Sequence, residues 1–219
     1  MGISGVNPLY LIVGLALLGL APFVLMLVTS YVKIVVVTSL IRNALGVQQV
    51  PPAMVMNGLA IILTIFIMAP TMYATKDLLQ RELGIWSHPT PQEILGAAER
   101  CSPPLRKFLQ DNTSPVIFNA FLGTAKRMWP ENMRETITKE NLLILVPAFT
   151  ITELTRAFQM GFLLYLPFVA IDLIISNILL AMGMMMVSPM TISLPFKLLL
   201  FVTLDGWLKI SQGLLLSYH

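Results

Sequence analysis

The sequence predicts an all-α protein of the integral membrane type, and three observations carry that prediction. Hydrophobic residues make up 56% of the 219 residues and charged residues only 11%, whereas a typical soluble domain has about 25% charged residues. The apolar residues are concentrated in four long segments, and a polar stretch with helix-start signals lies between the second and the third. The formal net charge of +3 is too small to indicate a nucleic-acid partner.

Each of the four apolar segments is about long enough to cross a bilayer as a helix, which needs about 20 residues. We place these helices at residues 8–32, 54–73, 157–182 and 190–212. They predict an N-terminal hydrophobic hairpin, a polar helical insert and a C-terminal hydrophobic hairpin, at residues 1–73, 74–141 and 142–219.

Turn residues close both hairpins. Gly46 and Pro51–Pro52 lie in the first connection, Arg42 to Pro52, and the second runs from Gly183 to Pro195; glycine and proline at such positions favour turns. Residues 1–32 carry no charged side chain, so the basic region that begins a signal peptide is missing. We therefore expect this stretch to be retained.

The insert contains eight acidic and nine basic residues, against three acidic and five basic in the rest of the chain. Thr90, followed by Pro91 and Glu93, has the pattern of a helix start. Ser114–Pro115 predicts a second helix start, and apolar residues follow it at helical spacing. We expect the insert to be helical and to pack against the hairpins or a neighbouring subunit.

The basic residues of the short connections predict the orientation in the membrane. Lys33 and Arg42 flank the first connection and Lys197 the second, and cytoplasmic loops carry an excess of such residues. We therefore expect both hairpin tips in the cytoplasm and the insert on the outer side, although Lys209 weakly favours the opposite orientation.

A few charged residues lie inside the apolar segments and need partners, because an unpaired charge at the bilayer centre costs about 2.5–3.5 kcal/mol. Glu153 and Arg156 are three residues apart and can meet on one helix face. Asp205 and Lys209 have the other favourable spacing. Two alternatives remain open: the charges pair within one chain, or Glu153 or Asp172 pairs with Lys197 of a neighbouring copy and fixes the register of an oligomer. The residues concerned are Glu153, Arg156, Asp172, Lys197, Asp205 and Lys209.

Three consecutive methionines, Met184 to Met186, follow Gly183. Successive residues of an α-helix point about 100° apart, so these three side chains can face one pore only from a loop or a broken turn. Flexible, polarizable thioethers would let a ring of methionines close against ions and still rearrange around a passing chain. The alternative is ordinary apolar packing.

The sequence lacks the patterns that catalysis or cofactor binding would need. It has no phosphate-binding glycine loop and no nucleophile elbow, and Cys101, His88 and His219 have no metal-ligand spacing. We predict neither an enzyme nor a metal or cofactor. An intramembrane hydrolase would need a carboxylate pair such as Asp172 and Asp205, which nothing in the sequence brings together.

The sequence resembles the FliP/SpaP/YscR family, called SctR in the unified secretion nomenclature, over nearly all of the chain outside the insert. The resemblance is carried by SLIRNALGVQQVPPAMVMNGLAIILTIFIMAPT (39–71), VPAFTITELTRAFQMGFLLYLPFVAIDLI (146–174) and LLAMGMMMVSPMTISLPFKLLLFVTLDGW (179–207). Members are export-apparatus proteins of flagellar and virulence type III secretion systems, and the short charged middle segment is more similar to the virulence branch.

The resemblance implies a ring of five copies in a conical helical assembly, largely above the plane of the bacterial inner membrane, with the insert on the periplasmic side. It implies SctS-like and SctT-like partners in the gate, SctU-like and SctV-like components beside it, and unfolded secreted polypeptides as cargo. The energy for transport would come from other components.

The resemblance also implies roles for residues. The methionines would form the pore constriction, and Glu153 would pair with Lys197 of a neighbouring copy, leaving Arg156, Asp172 and Asp205 as other buried charges. The loop hinge would comprise Gly183, Ser188, Pro189 and Pro195. Many relatives have two prolines where this chain has Ser188–Pro189, so its loop should bend more freely.

The leading hypothesis from the sequence is thus a pore-forming subunit of a type III export gate. The alternative is a small independent membrane transporter or channel, which would move a solute after purification by itself.

Overall fold

In a computed structural model of the chain, the regular elements of the described residues are all α-helices, which confirms the all-α prediction for this part of the chain. The structure describes residues 15, 19–20, 22–47, 50–83, 96, 99–134, 138 and 140–218. The helices with defined bounds are α1 (Tyr31–Ala44), α2 (Ala53–Leu83), α3 (Pro103–Asn112), α4 (Pro115–Met128), α5 (Glu131–Arg134), α6 (Leu142–Ala181), α7 (Pro189–Thr203) and α8 (Gly206–Leu216).

The first hairpin differs from its prediction at its N-terminal side. Instead of one helix over 8–32, the chain bends at residues 28–30 and α1 begins at Tyr31. Ile34, Val37 and Ile41, spaced three and four residues apart, form a fully buried stripe along α1, which is the period expected of a helix packed on one side. The turn to α2 falls inside the predicted closure from Arg42 to Pro52.

Two helices are longer than hydropathy predicted. α6 begins at Leu142 rather than at residue 157 and contains 40 residues, about 60 Å at 1.5 Å per residue. α2 continues ten residues past the predicted end at 73, to Leu83, so the first part of the predicted insert is a helical extension of the first hairpin. Hydropathy underestimated α6 because Glu153 and Arg156 lower the score, yet both pair inside the fold.

The last predicted helix, 190–212, is two helices. α7 and α8 meet at an angle of 59°, and Asp205 between them adopts a left-handed backbone conformation with φ of 51°. A Cβ at Gly206 would lie 2.4 Å from the Phe201 ring, so the glycine lets this ring pack across the bend. The ring also meets Trp207 edge to face, with 5.2 Å between centroids.

α6 is the central element of the described fold, because α1, α3, α4 and α7 all pack against it. α1 and α6 approach closely at Gly161, where a Cβ would lie 2.2 Å from Leu40 Cδ1 of α1. One hydrophobic core lies between the hairpins. Its buried members are Ile34, Val37, Ile41, Ala44, Leu45, Ala60, Ala157, Phe168, Phe201, Ile210 and Leu214.

α3 and α4 of the insert are helical and pack on α6, which is the first of the two packing alternatives that the sequence left open. α4 starts where Ser114–Pro115 indicated, with Ser114 as the N-cap residue in an extended conformation. A second core joins Leu109 of α3 to Leu145 and Phe149 of α6. The predicted helix start at Thr90 lies outside the described residues.

Within the described residues, two helices are long and apolar enough to cross a membrane, α2 and α6, and the bent pair α7 and α8 passes the same test together. Residues 8–14, 16–18 and 21 of the first predicted span, 8–32, lie outside the described residues. α6 is about twice as long as the hydrocarbon core of a bilayer, which is about 30 Å thick.

Candidate functional site

The three methionines lie in a loop between α6 and α7. In a loop their side chains are not forced to point about 100° apart, as they would be in a helix. Gly183 has φ of +72°, the left-handed conformation that glycine adopts without strain. Its N–H donates to the Leu180 carbonyl and the Met184 N–H to the Leu179 carbonyl, which together form a Schellman motif. The predicted loop is therefore present at this position.

The methionine side chains project from the fold. Met184, Met185 and Met186 are 41%, 81% and 101% exposed, so packing within the chain does not account for them. The chain re-enters a helix at Pro189 after Ser188, which has an extended conformation. Pro195, predicted as part of the hinge, instead lies inside α7, where a proline cannot donate the helix hydrogen bond to the carbonyl four residues before it.

A polar cluster pins the two helices together at the base of the methionine loop. Lys197 Nζ of α7 lies 2.5 Å from Asp172 Oδ2 of α6, and the Ser193 hydroxyl donates to Asp172 Oδ1 at 2.5 Å. The side chain of Lys197 is 4% exposed and that of Asp172 is 32% exposed. Asp172 lies on α6, before the loop, while Ser193 and Lys197 lie on α7, after it. These contacts therefore hold together the two helices that enter and leave the loop.

Lys197 also connects the loop base to the first hairpin. Its Nζ donates to the Ala44 carbonyl at 3.2 Å, and Ala44 is the last residue of α1. The carbonyls of a helix C-terminus lack partners within the helix and attract a positive charge. Leu194 of α7 lies beside Gly46 in the adjoining turn. One lysine thus joins α6, α7 and the tip of the first hairpin.

A second polar cluster surrounds Glu153, near the other end of α1. Its carboxylate lies 3.1 Å from Lys33 Nζ, and both side chains are fully buried. Arg156 lies 3.5 Å from Glu153, which confirms the predicted meeting of these two residues on one face of α6. The Tyr218 hydroxyl also donates to Glu153.

The surroundings of the second cluster come from distant parts of the chain. Lys33 Nζ lies 3.6 Å from the centre of the Tyr218 ring, and that ring stacks on Phe108 of α3. Arg156 donates to the Asn112 carbonyl at the end of α3. Burial lowers the pKa of Lys33, although Glu153 acts in the opposite direction; burial also raises the pKa of Tyr218, and the Glu153 charge adds to that effect. The phenol therefore stays a neutral donor.

The structure separates the two residues of the predicted pair between copies. Within one chain, Glu153 belongs to the second cluster and Lys197 to the first, so each has a partner of its own, and their pairing between copies stays a prediction. Asp205, expected to be buried, is exposed at the bend between α7 and α8. Asp205 and Lys209 form no side-chain ion pair in the described residues; only their backbones meet, where the Lys209 N–H donates to the Asp205 carbonyl.

Sequence reasoning missed Lys33 and Tyr218 as parts of a charged cluster. Lys33 was used only to orient the hairpin, although it lies next to Ile34 in the apolar stretch YVKIVVV, where a buried partner had to be found. Tyr218 gave no signal, because it lies 65 residues from Glu153 in the chain.

Fold and site together define a protein whose described elements are all helices, some able to cross a membrane, with a methionine-rich loop between two helices that a partly buried ion pair joins. A model of the FliP family matches residues 14–214. The chain is 52% identical over 209 residues to "Yop proteins translocation protein R" of Yersinia pestis, with 95% of each chain covered. It is 50% identical over 208 residues to "Virulence protein YscR" of Salmonella typhimurium, with 92% of each covered.

A third relative is the "Hypersensitivity response secretion protein HrcR" of Ralstonia nicotianae, 43% identical over 209 residues, which are 95% of this chain and 96% of that protein. The family match and the three alignments with relatives each cover nearly the whole chain. The chain therefore belongs to the FliP family.

Proposed function

We propose that this chain is the pore-forming subunit of a type III secretion export gate, in the inner membrane of a bacterium that secretes virulence proteins. The observation that carries the proposal is the exposed methionine loop fixed at its base by Asp172, Ser193 and Lys197. The names of the relatives, which refer to translocation, virulence and secretion, support the cargo class: secreted proteins that pass in unfolded form.

The exposed apolar surface supports assembly into a ring of several copies, five by the family resemblance. Along α6, Phe158, Phe162 and Leu163 are 54%, 65% and 66% exposed, and on α7 Leu199 and Val202 are 63% and 70% exposed. Large contiguous apolar surfaces on a protein mark contacts with other proteins or with lipid. The length of α6 favours protein contacts for part of it, because about 60 Å of helix exceeds the bilayer core.

In the proposed ring, copies of the loop converge on the axis and their methionines close the pore. Apolar constrictions exclude ions by dewetting, and the flexible thioethers adapt to a passing polypeptide. SctS-like and SctT-like proteins complete the gate, with SctU-like and SctV-like components beside it, and the insert faces the periplasm.

The first test is native mass spectrometry of the detergent-extracted chain, alone and with its SctS-like and SctT-like partners. We expect a ring of identical copies that adds both partners. A monomer or dimer that ignores them, and that moves a small solute by itself, would instead establish the independent transporter.

The second test replaces Met184, Met185 and Met186 together by Ala. The gate should still assemble, because all three side chains are exposed on the single chain. Ion conductance of the closed gate in planar bilayers should rise several-fold as the apolar constriction widens. The matched control is Met72→Ala, which removes an exposed methionine of α2 and should leave conductance unchanged. An assembled triple variant that conducts no more than wild type would contradict the constriction.

A further inference from the structure

Glu153 is enclosed within the single chain by three donors from three different segments. Lys33 of α1 approaches at 3.1 Å, Arg156 of α6 at 3.5 Å, and the Tyr218 hydroxyl donates from beyond the end of α8. The Glu153 side chain has no exposed surface. A cation on a neighbouring copy therefore cannot reach this carboxylate while the enclosure is closed.

Tyr218 and Ser217 are the part of the enclosure that can open with the least disruption. Both follow Leu216, the last residue of α8, so a rotation of the backbone at Ser217 withdraws the phenol without unwinding a helix. Opposite them, Lys33 lies in the first turn of α1 and Arg156 lies inside α6. Withdrawal of Ser217 and Tyr218 also removes the Ser217 hydroxyl that accepts from Lys33 at 3.3 Å.

The other member of the predicted pair, Lys197, also has its partners within the single chain. Lys197 is nearly buried, but Asp172, its partner, is 32% exposed, so the first cluster has one face open to solvent. An exchange of partners between copies therefore requires that Lys197 leave Asp172 and the Ala44 carbonyl, as well as the release of Glu153.

We propose that Tyr218 is a latch that holds Glu153 inside the free subunit, and that its withdrawal releases Glu153 to pair with Lys197 of a neighbouring copy during ring assembly. The latch rests on the proposed function, because it requires a ring of copies, and on the pairing of Glu153 with Lys197 that the family resemblance implies. The latch gives Tyr218 and Ser217 a regulatory role in assembly. In the free subunit Glu153 has its partners within the chain, and the subunit associates only when Lys197 of a neighbouring copy replaces the Tyr218 hydroxyl.

The test measures self-association of Tyr218→Phe by native mass spectrometry over a series of protein concentrations. Phenylalanine keeps the ring against Lys33 and Phe108 and removes only the hydroxyl. The midpoint concentration of ring formation should fall about tenfold or more, the factor that corresponds to one hydrogen bond to a charged group. The matched control, Tyr73→Phe, alters an exposed tyrosine of α2 and should not move the midpoint.

A combination with Lys197→Met separates a latch from a general change in stability. If Tyr218→Phe acts by freeing Glu153 for Lys197, it should give no gain in a chain that already lacks the lysine; a gain that persists there would overturn the latch. If the wild-type chain forms a ring and the midpoint concentration of Tyr218→Phe lies within twofold of the wild-type value, the latch is wrong but the proposed function stands. Failure of every variant to associate, even with partners, overturns the proposed function with it.

Hydrogen exchange on the wild-type chain gives a measurement that needs no variant. In the free subunit, the Ser217 and Tyr218 amides donate to the Gly213 and Leu215 carbonyls. Assembly should lower their protection at least several-fold while the amides of α6 gain protection. Equal or greater protection of these two amides in the ring would contradict withdrawal of the latch.

Discussion

Removal of the carboxylate at Asp172 should destabilise the chain by leaving a nearly buried ammonium without its counter-charge. Asp172→Asn keeps the shape of the side chain and an oxygen that can accept from the Ser193 hydroxyl. It removes the negative charge 2.5 Å from Lys197 Nζ. The variant therefore isolates the charge pair at the base of the methionine loop.

The structure limits the size of the effect. Breaking a fully buried ion pair by removing one partner costs about 3–5 kcal/mol, but Asp172 is 32% exposed, and solvent already weakens the attraction. Lys197 also retains the Ala44 carbonyl. We expect a loss of about 2 kcal/mol in the free energy of unfolding. For a chain of this size that loss corresponds to a fall of about 4–8 °C in Tm.

The assay is thermal unfolding in detergent, with a double-mutant cycle. Lys197→Met should cost less than Asp172→Asn, because the partly exposed Asp172 can be hydrated when it is left alone. The double variant should recover stability relative to the sum of the two changes by about 1–2 kcal/mol, because neither charge remains unpaired. Asp111→Asn, an exposed acid of α3, is the control and should change stability by less than about 0.5 kcal/mol.

Two results would refute this reasoning. If Asp172→Asn costs no more stability than the Asp111→Asn control, the pair contributes nothing to the loop base. If the effects of Asp172→Asn and Lys197→Met are additive, the two residues act on stability through separate contacts.

Two further predictions concern the predicted pairing between copies and the contact between the hairpins. Exchanging Glu153 and Lys197 should impair ring assembly less than either single charge reversal if they pair between copies; additive damage in native mass spectrometry would assign them different partners. Gly161→Ala should lower the free energy of unfolding by about 1–3 kcal/mol, because its Cβ would meet Leu40 at 2.2 Å. Gly58→Ala, in α2 with open space around it, should instead stabilise by about 0.5–1 kcal/mol, and equal thermal shifts for both alanines would contradict the close approach.

Features that depend on neighbouring residues were predictable from the sequence. Composition identified the class, Gly183 and the prolines placed the loop around the methionines, and Ser114–Pro115 placed the start of α4. The meeting of Glu153 and Arg156 followed from their spacing of three residues. Each of these depends on backbone conformations or helix geometry that a few consecutive residues determine.

Helix boundaries were wrong where a charged or polar residue is satisfied by a distant partner. Hydropathy counts Glu153 as a cost and so began the third helix at residue 157, whereas α6 runs through it from Leu142. The partners that make this possible are Lys33 and Tyr218. At Asp205 the error was the opposite one: hydropathy predicted one continuous helix where the chain bends. The bend depends on how Phe201 packs over Gly206.

The sequence by itself determined that this chain is a helical membrane-type protein with a methionine loop between two helices. Only the tertiary structure decided which charges meet: Asp172 with Lys197 across the loop, and Glu153 with Lys33 and Tyr218 across three segments. The physical reason is that local conformation is fixed by steric and hydrogen-bond preferences within a turn or two of helix. The partner of a buried charge is fixed by the packing of whole helices, which brings together residues far apart in the chain.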